Sequence, residues 1–261
     1  MKKICIYGKG GIGKSTTVSN VAAAMAEEGL RVAVVGCDPK ADTTRCLMGR
    51  KIPSVLELMS SSGAAEVAFT GYRGILCMES GGPEPGTGCA GRGIAAALQE
   101  IQSRNLLDGM DVVLYDVLGD VVCGGFSMPL REGIAQDVYL VTTADFMSIY
   151  AANNICRGIV RYARENEIRL AGILYNARSG RDDPALAERF AHTIGTSVTG
   201  YLPMSEWISR AELERKTVVE AFPESDAARC FREIAHEMLK ERTRCIPAPM
   251  TEEEVESLCR R

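Results

Sequence analysis

The stretch "GKGGIGKS" at residues 8–15 narrows the possible folds more than any other part of the chain. It fits G-x-x-x-x-G-K-[S/T], the phosphate-binding loop, and lies between an apolar run, "KKICIY" (2–7), and a helical pattern over 14–28. In that setting the loop needs a strand entering and a helix leaving, so that backbone N–H groups and the positive helix end face an anion. Nucleotide binding is therefore expected at Gly8, Lys9, Gly10, Gly11, Ile12, Gly13, Lys14, Ser15 and Thr16. Lys14 would reach the β- and γ-phosphates, and the Ser15 hydroxyl would bind Mg²⁺. Lys9, directly after the first glycine, marks the deviant form of the loop, whose extra lysine reaches the nucleotide of a partner subunit. That predicts a homodimer with nucleotides at its interface and gives Lys9 a catalytic role.

Short β-branched runs at 2–7, 31–36, 74–79, 111–116, 137–142, 170–175 and 197–202 alternate with helical patterns near 14–28, 92–104, 146–165, 183–194 and 225–242. This rhythm predicts a single-domain α/β P-loop NTPase, a mostly parallel sheet with helices on both faces. A length of 261 residues with 46% hydrophobic content is enough for one core. Residues 1–246 read as the ATPase domain, and 247–261 as a C-terminal tail with a short acidic helix outside the core. Residues 60–74, "SSSGAAEVAFTGYRG", read as a loose loop.

A net charge of −4 and the lack of a Lys/Arg run argue against a nucleic-acid partner. No apolar stretch is long enough for a membrane span. The apolar run after "MKK" is too short for a signal peptide and leads straight into the phosphate loop, so a cytoplasmic location is expected.

Two acidic segments follow strands, at the sheet edge where open α/β folds bind ligands: "CDPKADTT" (37–44) and "DVLGD" (116–120). Asp116 ends an apolar strand, as a Mg²⁺-holding Walker B carboxylate does. Asp38, Asp42 and Asp120 are candidates for sensing the γ-phosphate or positioning water, and each also suits a helix cap or turn. Lys40 joins the nucleotide-binding candidates.

The chain has ten cysteines and no C-x-x-C pair. Cys89, in "GTGCAGRG", and Cys123, in "VVCGGF", each stand among glycines after a strand end. Two thiolates are half the ligand set of a [4Fe–4S] cluster, and a two-fold axis through the cluster would supply the other half from a second chain. Glycines there would let backbone N–H groups approach the cluster sulfurs. Cys5, Cys37, Cys77 and Cys156 lie in apolar patterns and read as core fillers. Cys46, Cys230, Cys245 and Cys259 lack metal spacing, and His192 and His236 read as surface helix residues.

"YGKGGIGKSTT", "GCDPKADTT", "ESGGPEPGTGCAGRG", "DVLGDVVCGGFSMPLRE", "YAANNI" and "CIPAPMTEEEVESL" together resemble the nitrogenase iron protein family over nearly the whole chain. The resemblance implies an ATP-driven homodimeric electron donor with one bridging [4Fe–4S] cluster. It would take electrons from ferredoxin or flavodoxin and dock onto a larger nitrogenase-like metalloprotein. It also implies roles by position. Asp38 and Asp42 belong to a nucleotide switch, Asp120 helps activate water, and residues 116–123 link nucleotide to cluster. Asn176 contacts adenine, Pro203 lies in the nucleotide site, and Arg92 stands on the docking surface.

Ser205 departs from the family's usual acidic residue, for which Glu206 is a substitute. Ala41 departs from the histidine of the tetrapyrrole-reductase ATPases. The acceptor stays open among dinitrogen, tetrapyrrole and methylthio-alkane reductases. A septum-positioning ATPase would need a basic face or a membrane-tethering tail, whereas this tail is acidic. An iron–sulfur scaffold ATPase typically carries a C-x-x-C pair, absent here.

Overall fold

The computed structural model describes residues 1–61, 66–82, 90–117, 119, 129–130, 132, 134–178 and 183–260. Its strands are β1 (Lys2–Tyr7), β2 (Val32–Cys37), β3 (Phe69–Thr70), β4 (Leu76–Glu79), β5 (Val112–Val117), β6 (Asp137–Thr142), β7 (Arg169–Asn176) and β8 (Val198–Leu202). They form one sheet in the order β3-β4-β2-β5-β1-β6-β7-β8, parallel throughout except for the β3–β4 pair. Each strand expected from the sequence lies within two residues of its predicted ends. β2, β5 and β6 are buried along their whole length, as strands covered on both faces must be.

Alternation along the strands divides the core. Ile4, Ile6, Val34 and Leu114 pack on one face against α1 (Lys14–Glu27) and, after α2 (Arg45–Met48) and α3 (Val55–Ser61), against the later helix over Asp226–Leu239. Cys5, Tyr7, Val35 and Tyr115 point to the other face, toward α4 (Ala90–Ser103), α5 (Phe146–Tyr162) and α6 (Pro184–Thr193). α7 (Glu206–Leu213) and α8 (Val218–Ala221) lead into the Asp226–Leu239 helix, α9, and the chain closes with α10 (Glu252–Arg260). β1 lies between β5 and β6, where the strand order reverses, and its carboxyl end opens into the phosphate loop.

Two expectations need correction. Residues 60–74 are not all loop, because α3 runs to Ser61 and Phe69–Thr70 pairs antiparallel with Cys77 and Leu76 as an edge strand. Two residues are too short for a period-2 pattern to show in sequence. Nor does the acidic helix near the C-terminus lie outside the core. Val255 of α10 is fully buried, and Met250 is nearly so, in the cluster that α5 and α6 cover. The buried Asn153 of "YAANNI" pins this segment. Its Nδ2 donates to the Met250 carbonyl at 2.9 Å, and its Oδ1 accepts the Met250 N–H at 2.8 Å. Arg157 donates to the same carbonyl at 2.9 Å, and Cys245 pairs with Leu170 through 2.9 and 3.0 Å backbone bonds.

Asn153→Ala leaves a buried N–H without its acceptor, so it should lower unfolding stability by about 2 kcal/mol in urea titration. A loss under about 0.5 kcal/mol, the scale of a surface change, would mean that the tail is not held there.

Candidate functional site

The phosphate loop is shaped by what its glycines allow. Gly8 has φ 154°, and a Cβ there would fall 2.4 Å from the Val141 carbonyl oxygen. Gly13 has φ 96°, and a Cβ there would meet the Asn176 amide at 2.6 Å. Asn176 Nδ2 donates to the Ile12 carbonyl at 2.8 Å, and the exposed Arg178 guanidinium donates to the Gly11 carbonyl. Lys14 is buried and its ammonium donates to the Lys9 carbonyl at 3.2 Å. Gly119, two residues beyond β5, lies directly on this loop: a Cβ there would come within 2.1 Å of the Gly8 oxygen and 2.8 Å of the Gly10 nitrogen.

A row of three residues crosses the neighbouring strands β4, β2 and β5. Glu79 pairs in register with Gly36, and Gly36 with Asp116. Residues in register on parallel strands share a face, so two carboxylates close over a glycine. A Cβ at residue 36 would lie 1.9 Å from Glu79 Oε2 and 2.9 Å from Thr43 Oγ1. Asp116 Oδ2 accepts from Ser15 Oγ at 2.6 Å and from Thr43 Oγ1 at 2.8 Å. Glu79 Oε1 accepts from the Thr44 N–H at 2.6 Å and its hydroxyl at 2.7 Å. The second oxygens, Asp116 Oδ1 and Glu79 Oε2, are buried with no hydrogen-bond partner among the described residues. Burial raises the Asp116 carboxyl above its ordinary range, against the pull of Lys14, Ser15 and Thr43. Burial, reinforced by Asp116 and Asp42, brings Glu79 to about 7 against the opposing Thr44 bonds.

A buried carboxylate under the influence of Lys14, with one oxygen bonded to Ser15 and the other without a partner among the described residues, suits a divalent cation brought in with a polyphosphate. The residues present therefore fit MgATP: the loop N–H groups and Lys14 for phosphate, Ser15 and Asp116 for Mg²⁺. Beside the loop is a cavity of about 410 Å³ lined by Gly13, Thr16, Asn176, Arg178, Pro203 and Glu212, among others. Thr16 Oγ1 donates to Glu212 there at 2.7 Å.

The other expected residues distribute as follows. Asp38 turns onto its own loop, with Oδ1 accepting the Lys40 N–H at 2.9 Å. Lys40 and Asp42 are exposed, and Ala41 between them holds a left-handed φ of 50°, backbone strain of a kind that gathers at switch segments. Lys9 is half-buried and lies near Asp145. Burial works to raise that carboxyl, but bonds from Thr143 and Ser148, with Lys9, bring it below its ordinary range. Ser205 caps α7, its hydroxyl accepting the Trp207 N–H at 3.3 Å; it and Glu206 both line the cavity. Arg92 is exposed on α4.

Asp120, Cys89 and Cys123 lie outside the described residues. Among those described, no group of three His, Cys, Asp or Glu residues is placed to hold a metal. Cys5, Cys37, Cys77 and Cys156 are buried, and burial pushes their thiols up. His192 and His236 are exposed on their helices. Thr43, Thr44, Glu79, Arg178 and Glu212 were not expected at the site. Glu79 carried a usable signal, since it ends an apolar strand as Asp116 does.

The carboxyl of Glu79 titrates near 4.5 when unfolded and near 7 when folded. Between those pH values the folded chain keeps a proton that the unfolded chain has lost, so stability falls as pH rises through the window. Glu79→Gln should flatten that slope, recovering about 3 kcal/mol at alkaline pH. Denaturant titrations across the window test this, and an unchanged slope would exclude Glu79 as its source.

The chain matches, over residues 2–261, the family described as 4Fe-4S iron sulfur cluster binding proteins, NifH/frxC family. It is 50% identical to the nitrogenase iron protein of Methanococcus voltae, across 99% of this chain and 95% of that one. With nitrogenase iron protein 2 of Methanothermobacter thermautotrophicus it shares 49% identity across 100% of this chain and 98% of the relative. Among solved structures, the cell division ATPase MinD of Pyrococcus furiosus overlays with a TM-score of 0.72 at 20% identity, covering 91% of this chain and 98% of that one. Likeness at that identity speaks for the P-loop NTPase fold alone. Matched from end to end, the chain belongs to the nitrogenase iron protein family, whose cofactors are a [4Fe–4S] cluster and MgATP.

Proposed function

We propose that this chain acts as a homodimeric, ATP-dependent electron donor of the cytoplasm. It would receive electrons from a ferredoxin or flavodoxin and pass them to a nitrogenase or nitrogenase-like catalytic partner, without nucleic acid or membrane. The observation that carries the reading is the orphaned oxygen of Asp116, held beside Ser15 and Lys14 at the root of the segment that runs to Cys123. Asp116 and Asp120 precede Cys123 by seven and three residues. A [4Fe–4S] cluster held by Cys89 and Cys123 of two chains would supply one-electron, low-potential chemistry.

The chain's own residues supply the gating. Loop N–H groups and Lys14 hold the phosphates, Ser15 and Asp116 hold Mg²⁺, and Asp120 orients the attacking water, with Asp38 and Asp42 sensing the γ-phosphate. Lys9 reaches across the dimer to the partner's nucleotide. Asn176 and Pro203 bound the adenine end, while Arg92 meets the acceptor. Gly119 packs on the loop at Gly8, so any change in the loop's occupancy acts on the segment leading to Cys123. Among the described residues no helix is long and apolar enough to cross a membrane.

Purified without oxygen, the protein should hold about four irons per two chains. Cys89→Ala and Cys123→Ala should each abolish the cluster, and a full cluster in both variants would overturn the bridging arrangement. Lys14→Ala should keep the iron but lose the MgATP-dependent change in its removal by a chelator. A preserved response would detach the phosphate loop from the cluster.

A further inference from the structure

β4 ends at Glu79, and the chain continues through Ser80, Gly81 and Gly82 toward Cys89. The root of that segment is fastened to residues 36–44 at three points. The Ser80 N–H donates to the Gly36 carbonyl at 2.8 Å. Gly82 lies on Pro39 so closely that a Cβ would come within 2.5 Å of Pro39 Cβ and 3.0 Å of its Cα. Glu79 Oε1 takes both the N–H and the hydroxyl of Thr44. The same short stretch reaches the nucleotide side one residue earlier. Thr43 donates its hydroxyl to Asp116 at 2.8 Å, and its carbonyl accepts from Ser19 of α1 at 2.7 Å.

From this arrangement we infer that Glu79 is a positioning residue which, with the Gly82–Pro39 contact, makes a second mechanical route from the nucleotide site to the segment bearing Cys89. The inference rests on the cluster reading above. The first route runs along one stretch of chain, from Asp116 to Cys123. The second passes through space, from Asp116 to Thr43, to Thr44, to Glu79, and on along the chain. A cation taken by Asp116 Oδ1 draws on the same carboxylate whose Oδ2 holds Ser15 and Thr43, so its arrival or loss changes the pull on Thr43. Any shift of Thr43 is handed to Thr44, whose two donors grip a single carboxylate oxygen. Sideways slack is small, because Glu79 Oε2 already occupies the space above Gly36. One nucleotide event would then act on both cysteine segments of a chain, the two-armed bistable link that a bridging cluster requires.

The test measures iron removal by a chelator, with and without MgATP, in the whole dimer, alongside iron content and MgATP affinity. Glu79→Ala should keep its iron and bind MgATP, yet lose about tenfold of the MgATP-induced acceleration, the scale of one charge-assisted hydrogen bond. Glu79→Gln still offers Thr44 an acceptor and should keep most of the acceleration. Full acceleration in Glu79→Ala overturns the route, and a Glu79→Gln variant as impaired as Glu79→Ala overturns the acceptor role. Should Glu79→Ala not fold, Thr44→Val decides: it removes one donor of two, and about a threefold loss is expected, whereas unchanged acceleration overturns the inference. Wild-type protein that holds no iron, or whose iron is indifferent to MgATP, would instead remove the functional reading on which the inference stands.

Discussion

Two buried carboxylates closed over one glycine set the terms for this molecule. Glu79, Gly36 and Asp116 sit in register at the carboxyl ends of three adjacent strands, and each acid keeps one oxygen without a partner among the described residues. An unpartnered buried carboxylate oxygen destabilises a fold by one to a few kcal/mol, so its presence in pairs marks a place organised for something other than stability. The consequences spread outward. Gly36 has no room for a side chain, Thr43 and Thr44 are drawn in to satisfy the remaining oxygens, and Ser15 at the start of α1 is tied to Asp116. The phosphate loop, the 38–44 segment and the ends of β4 and β5 are thereby one hydrogen-bonded assembly. A change in what Asp116 binds cannot stay local.

The sequence reading reached the sheet, its direction and its loop because those depend on patterns of short range. Uninterrupted apolar runs belong to parallel strands, and G-x-x-x-x-G-K-S belongs to one strand–loop–helix geometry. It reached Asp116 for the same reason, since an acid closing an apolar run shows within one segment, whereas Asn176 came only through the family resemblance. It missed Glu79 and the two threonines because their partnership is set by register between strands, which no single segment displays. It misjudged the tail because a helix with few aliphatic residues looks peripheral, although one valine can be fully buried when an asparagine holds the preceding backbone. Asp38 and Ser205 show the converse. Both are engaged in local structure, a turn and a helix cap, an alternative that Asp38 already offered in the sequence.

Fold and function separate cleanly here. The likeness to MinD at 20% identity covers almost the whole chain and speaks for the frame alone. Family membership rests on sequence similarity near 50% with methanogen nitrogenase iron proteins. What the frame contributes is placement, because both cysteine-bearing segments leave strands whose ends also hold the nucleotide-side acids. In the proposed function, a cluster held by Cys89 and Cys123 would follow those acids, Glu79 and Asp116, by ten and seven residues of chain.

The most direct test of this account is the binding of Mn²⁺, as a paramagnetic substitute for Mg²⁺, followed by electron paramagnetic resonance in the presence of ATP. If the free oxygen of Asp116 is kept for the cation, Asp116→Asn will weaken Mn²⁺ binding by about tenfold or more while metal-free ATP still binds. Equal Mn²⁺ affinity in wild type and variant would contradict it, leaving the carboxylate row with no part in the nucleotide site.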